Sequence, residues 1–179
     1  MPSILEEPPE VKLVHDFVNT LDLRTFRYRG HSRGGGDVLS EPAGFEAWLG
    51  ERGLGQSRVV EADLVLARAT RASLRASITG EGTDPGTSRL VGVRLAAGEP
   101  PRLVPVEAGI AGALGKIVVA SAVVAQQGLW PRLKQCPAED CGWIFYDRTK
   151  PGRGRWCDPA LCGNRMKTRA YRARRATTG

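Results

Sequence analysis

A chain of 179 residues has room for one ordinary domain plus a small appended module. Its 41% apolar and 25% charged residues exclude a disordered or fibrous chain, and its +7 charge is uneven: residues 132–179 hold 12 Lys/Arg against four acids, residues 1–131 hold 14 against 15. No apolar run approaches the roughly 20 residues of a membrane span; the longest, 117–125, is broken by Ser121, and the acidic start of the chain does not read as a signal peptide, so a cytoplasmic protein is expected.

The first region, 8–128, reads as mainly helical. Val11, Val14, Phe17, Val18 and Leu21 fall at helix spacing after Pro8 and Pro9, which cannot sit inside a helix. Residues 24–39, with Gly30 and three consecutive glycines from Gly34, read as a mobile loop. Pro42 opens a short second helix with Phe45, Trp48 and Leu49 on one face and Gly53 past its end. Ser57 is the expected N-cap of a longer helix, with Val60, Leu64, Ala67, Leu74 and Ile78 inward and Gly80 as its stop. Residues 81–87 read as a loop, 90–95 as either helix or strand, 100–106 as an edge strand at best, and 107–127 as a buried helix rich in Ala, Val and Gly. Residues 1–7 and 176–179 read as frayed ends.

The second region, 130–176, opens on a turn around Cys136 and Cys141. A strand at 143–146, a basic loop at 147–155 and a short strand ending at Cys157 follow. Asp158-Pro159 supplies an N-cap and a first-turn proline for a helix from 159 to about 175, with Cys162 in its first turn. The expected class is α+β: a mainly helical N-terminal domain, then a small four-cysteine zinc-finger module with a C-terminal helix.

All four cysteines lie in that module, spaced C-x4-C-x15-C-x4-C. Two short loops contributing a pair each can wrap one tetrahedral Zn²⁺. Structural zinc is the first reading, with a redox pair, an iron–sulfur site or inert thiols as alternatives. A closed sulfur shell leaves no position for a catalytic water. A module of this size gains its folding energy from the metal, so Cys141→Ser is expected to unfold the tail alone. Trp143, Phe145 and Trp156 are expected to pack around the two loops.

The helix and the loop before it are dense in cations. Arg165, Arg169 and Arg172 follow i, i+4, i+7 and share one face; Met166, Ala170 and Ala173 share another, which would pack on the metal loops. Lys167 also lies on the helix, and Arg148, Lys150, Arg153 and Arg155 lie in the loop. Such a helix and loop suit phosphate contact, most simply with duplex DNA. The plain alternative is a solvated helix whose last arginines offset the macrodipole.

Cys162-Gly163-Asn164-Arg165, preceded by Phe145-Tyr146-Asp147 and Arg155-Trp156-Cys157, resembles the CGNR zinc finger. Upstream, Asp16-Phe17-Val18-Asn19-Thr20 with Trp48-Leu49 resembles the ABATE domain. The resemblance implies a bacterial stress-induced transcription regulator that binds DNA. It also implies Cys136, Cys141, Cys157 and Cys162 as metal ligands and Asn164-Arg165 as a nucleic-acid contact.

Asp16, Asn19 and Thr20 place polar groups in an otherwise apolar helix. They could line the pocket of a small effector, with Arg24 or Arg27 as its anion partner, or form a network that fixes the next loop. His15 and His31 read as surface histidines. The leading expectation is a DNA-binding regulator whose N-terminal domain senses an effector or dimerises. An RNA-binding module would instead stack unpaired bases on Trp143, Phe145, Tyr146 and Trp156, and a third reading is a protein-interaction or redox-sensing finger. No Ser/His/Asp grouping, phosphate loop or carboxylate pair points to an enzyme.

Overall fold

The computed structural model describes residues 5–81 and 89–177. Helix α1 (Pro9–Val18) starts at a proline, buries Val11, Val14, Phe17 and Val18, and packs on α4. An antiparallel hairpin of β1 (Leu21–Tyr28) and β2 (His31–Asp37) follows, turning at Arg29 and Gly30, both at positive φ. This hairpin replaces the expected mobile loop, and Leu21 opens it rather than extending α1. Strand β2 carries no apolar side chain, so its pairing is supplied by β1 and leaves no alternating pattern to read.

Helix α2 (Pro42–Glu51) buries Phe45, Trp48 and Leu49, as its spacing predicts. Helix α3 (Glu61–Thr79) starts four residues after Ser57. Its N-cap is Val60, whose backbone N–H donates to Asp63 at 2.9 Å, so the Val60 side chain is exposed rather than inward. Leu64, Ala67 and Leu74 are buried, and Gly80 ends the helix at φ +75°. The segment 90–95 resolves as β3 (Val91–Arg94), paired antiparallel with β4 (Arg102–Pro105). The expected loop at 81–87 lies outside the described residues beyond Glu81.

Helix α4 (Gly109–Gln126) is long and apolar enough to cross a membrane by length and composition; here half of it is buried, against α1, α3 and the β3–β4 hairpin. Strands β5 (Leu133–Gln135) and β6 (Ile144–Tyr146) pair antiparallel at the start of the cysteine-bearing segment. Among the described residues, the segment leading into Cys157 forms no strand, so the short strand expected to end there is absent. A helical turn, Pro159–Gly163, leads into α5 (Asn164–Thr177), and Asp158 caps it by accepting from the N–H groups of Ala160 and Leu161 at 2.8 and 3.0 Å.

The main core does not stop at residue 128. Leu133, Ile144 and Tyr146 belong to the same buried cluster as α1 to α4, while Cys136, Ala138, Cys141, Phe145 and Cys162 form a second, smaller one. The cysteine module is thus welded to the N-terminal body through its own first hairpin. Its other attachments are polar. Asn19 accepts from the Ile144 N–H at 3.0 Å and donates to its carbonyl at 2.8 Å. Thr25 N–H donates to the Asp140 carbonyl at 3.1 Å, beside an irregularity in β1 between Asp22 and Thr25. Leu5 N–H reaches the Arg148 carbonyl and Glu7 pairs with Arg148, so residues 5–7 are tied down rather than frayed.

Candidate metal centre and basic face

The two cysteine pairs, far apart in sequence, converge. The β5–β6 hairpin carries Cys136 and Cys141 around its turn, and the Cys136 N–H donates to the Trp143 carbonyl at 2.8 Å. The Asp158-capped turn brings in Cys162, whose N–H donates to the Asp158 carbonyl, with Cys157 just before it. All four sulfurs lie within 4.8 Å of one another. Cys141 and Cys157 are 3.7 Å apart, Cys157 and Cys162 3.5 Å, Cys162 and Cys141 3.8 Å. These are far too long for disulfides, and the four cysteines are free. They match the edge of about 3.8 Å expected for a tetrahedron with sulfur about 2.3 Å from a central zinc.

Packed this closely, the thiols shift one another's protonation. Hydrogen bonds from Cys141 and Cys157 hold Cys136 down to about 2. Donation to Cys136 in turn pushes Cys141 up to about 12 and Cys157 upward as well. Sulfurs that can share little negative charge among themselves are a donor set that a divalent cation relieves by stabilising each as thiolate. The tetrad fits a metal ion, which Cys136, Cys141, Cys157 and Cys162 would hold.

Around it, the Cys-Gly-Asn-Arg run is structural at every position. Cys162 joins the tetrad. A Cβ on Gly163 would lie 3.0 Å from the Trp156 ring, so any larger residue there must push that ring back by a few tenths of an ångström. Asn164 donates to the Ala160 carbonyl at 3.0 Å. Arg165 is only 7% exposed. It pairs with Asp140, donates to the Cys162 sulfur at 3.6 Å and lies 3.7 Å over the Phe26 ring. This corrects the expected basic face: Arg165 is turned into the body, and Arg169 is paired with Glu139 at 3.0 Å. The acids Glu139 and Asp140, between the first two cysteines, answer two of the three arginines on that face.

The loop after β6 hangs on Asp147, which is 2% exposed. It pairs with Lys134 at 2.7 Å and accepts from the Thr149 hydroxyl and from the N–H groups of Thr149 and Gly154. Burial pushes this carboxyl up, but the Lys134 ammonium and the Thr149 and backbone donors outweigh it and hold it at about 2. Arg132 closes the loop by donating to the carbonyls of Asp147, Thr149 and Lys150. Arg148 is spoken for by Glu7 at 2.6 Å. That leaves Lys150, Arg153 and Arg155 exposed on the loop and Lys167 and Arg172 exposed on α5, none with a carboxylate partner among the described residues. Of the expected packing residues, Met166 reaches the metal cluster, but Ala170 and Ala173 are exposed, so the outer half of α5 projects from the body.

The aromatic residues are poor stacking platforms. Phe145 and Tyr146 are buried, and Arg24 covers Trp143 at 3.7 Å. Trp156 is half-buried beneath Arg155 at 4.9 Å.

The expected effector pocket at Asp16, Asn19 and Arg24 does not form. Asp16 is engaged by Lys12 and Arg52, Asn19 by Ile144, and Arg24 by Asp22 in a two-pronged pair. Thr20 donates to the Phe17 carbonyl, and Arg27 is exposed. The alternative, a network fixing the next segment, is what the residues build. His15 is not a surface residue either: Nδ1 faces Glu7 at 2.8 Å and Nε2 the Ile144 carbonyl at 3.0 Å.

Sequence reading passed over the arginines of α3. Arg71, buried, pairs with Asp37 at 2.5 Å and donates to the Thr20 hydroxyl. Arg75 donates to the carbonyls of Val18 and Gly142 at 2.9 and 2.8 Å. The signal was available, since Leu64, Ala67, Arg71 and Leu74 step along one helix face at spacings of three and four.

Two family models match the chain. Residues 12–133 match ABATE, described as a putative stress-induced transcription regulator, and residues 132–175 match the CGNR zinc finger. No curated protein matches it.

Proposed function

The chain belongs to the ABATE family and carries a CGNR zinc finger at its C-terminal end, and from that premise we propose that it is a cytoplasmic, non-enzymatic transcription regulator that binds duplex DNA. One Zn²⁺ on the four cysteines holds the finger in shape. Lys150, Arg153 and Arg155 on the loop and Lys167 and Arg172 on α5 contact phosphates. The observation that carries this reading is the set of exposed cations without acidic partners, presented by a loop and helix that the sulfur tetrad and Asp147 fix in place. Fixed positive charges at a rigid surface suit a polyanion better than a small or flexible ligand. The burial of Phe145 and Tyr146 and the covering of Trp143 favour duplex over single-stranded RNA, which needs open aromatic faces.

The test is binding to random duplex DNA across salt concentrations, with single-stranded RNA in parallel. Log affinity should fall linearly with log salt, at about −0.9 per phosphate neutralised. Replacing Lys167 and Arg172 together by alanine should reduce that slope by about 2 while zinc content stays the same. A slope unchanged in the double variant would refute the assigned surface, and tighter binding to RNA than to duplex would refute the assigned partner.

A further inference from the structure

Arg68, Arg71 and Arg75 recur along α3 and line one wall of an open cavity of about 570 Å³. Leu21 and Leu23 of β1, Gln135 of β5 and the exposed Glu81 also line it. A second cavity shares Leu23, Glu81 and Gln135 with the first and runs on past Cys136 and Gly142. Together they make a groove from α3 to the metal-binding hairpin. None of the five cations assigned to DNA, and none of Asp16, Asn19 and Arg24, lines it.

Three arginines and one acid, the exposed Glu81, line the cavity. Arg71 is matched by Asp37 and Arg68 by the exposed Glu61. Arg75 has no carboxylate partner among the described residues; its guanidinium donates to two backbone carbonyls. Burial and the neighbouring charge of Arg71 both work against its cationic form. A guanidinium stays charged regardless, so the electrostatic cost stands until an anion offsets it. The guanidinium fork is shaped for a carboxylate or phosphate. Leu21, Leu23 and Ala76 give the same cavity an apolar lining, and its volume is that of a small-molecule site.

We infer that this groove binds a small organic anion, with a carboxylate or phosphate at Arg75 and its apolar body against Leu21, Leu23 and Ala76. The position couples the ligand to the finger. Arg75 joins the last residue of α1 to Gly142, the residue after Cys141. An anion that draws the guanidinium into the groove competes with the Gly142 bond and so acts on the hairpin that carries Cys136 and Cys141. Any effect on DNA affinity rests on the function proposed above; the binding itself does not.

The experiment titrates the zinc-loaded full chain with phenyl phosphate and with inorganic phosphate at fixed ionic strength, by calorimetry. Phenyl phosphate should bind at one site, at least tenfold more tightly than inorganic phosphate. Arg75→Gln should weaken it at least tenfold. Because that change also removes two structural hydrogen bonds, Ala72→Glu provides an independent variant: it adds a carboxylate at an exposed position of the same wall and leaves all three arginines in place. It should weaken phenyl phosphate by a similar factor, while Arg102→Gln, exposed on β4, should not. Equal affinity in the wild type and Ala72→Glu, or an equal loss in Arg102→Gln, would overturn the site. With the site established, a DNA affinity unmoved by saturating phenyl phosphate would overturn the coupling alone. Absence of DNA binding altogether would count against the proposed function and leave the anion site standing.

Discussion

Arg165 and Asp147 show what buried charge does in this molecule. Arg165 gathers Asp140, the Cys162 sulfur and the Phe26 ring, and so ties the metal loops to the β1–β2 hairpin. Its charge is used internally, a choice that charge counting along a helix cannot reveal. Asp147 plays the matching part for the basic loop, where one carboxylate collects Lys134, Thr149 and Gly154. Its depressed value of about 2 has a definite consequence for acid stability. Above the unfolded carboxyl value of about 3.9, both states are ionised and the stabilisation is complete. Below it the unfolded chain takes up the proton first, so the stabilisation is lost as pH falls toward 2. Asp147→Asn should therefore cost about 2–4 kcal/mol at pH 7, as expected when one member of a buried charged network is neutralised. The gap between variant and wild type should narrow as pH drops from 4 to 3. Denaturant unfolding of both proteins across that range measures it, and a gap independent of pH would mean the carboxylate charge is not what holds the loop.

Among the elements, the outer half of α5 stands apart. From Arg169 to Ala176 every position is exposed, and the Arg169–Glu139 pair, one tie to the body, lies at the surface. An exposed pair of this kind contributes about 0–1 kcal/mol. Ending the chain after Thr168 should thus change unfolding stability by no more than about 1 kcal/mol and leave zinc content intact, while lowering the salt slope of DNA binding by about 1, the share of Arg172, the one assigned contact beyond the cut. A thermal melt beside a binding titration decides it; a large loss of stability would show that this half-helix packs after all. The contrast explains what the sequence made legible. Helices α1, α2 and α4, and the buried face of α3, could be read because their apolar residues recur at helical spacing against one core. The cysteine tetrad was legible from spacing alone, and the Asp158 cap from its residue type. The β1–β2 hairpin was not, because β2 is polar and glycine-rich and exists only as a partner to β1. Strand β5 is three residues long, too short to show a pattern. The basic face was overcounted because pairing with Glu139 and Asp140 depends on a contact between hairpin and helix that no local rule contains.

At the scale of the whole molecule, finger and body share structure that the sequence boundary near residue 129 conceals. Ile144 sits in the main core, both its backbone polar groups are held by Asn19, and the next strand residues alternate between the two clusters: Phe145 toward the metal, Tyr146 toward the helices. Strand β6 is thus one wall of each core. The expectation that losing a cysteine unfolds the tail alone is therefore replaced by its opposite. Removing the metal should release the β5–β6 turn, loosen β6 and withdraw Leu133, Ile144 and Tyr146 from the body. Chelation should lower the stability of the entire chain in one transition, by at least about 4 kcal/mol if zinc normally exceeds its dissociation constant a thousandfold. Amide exchange reads this directly: protection in α1 and α4 should fall on chelation together with protection in β6. Asn19→Ala tests the route, since it strips the Ile144 N–H of its partner at a cost of about 1–3 kcal/mol. In that variant the drop in α1 protection on chelation should shrink relative to wild type, because the joint is already loosened. If α1 and α4 keep full protection in the metal-free wild type, the two cores are separable and the shared strand does not transmit stability between them.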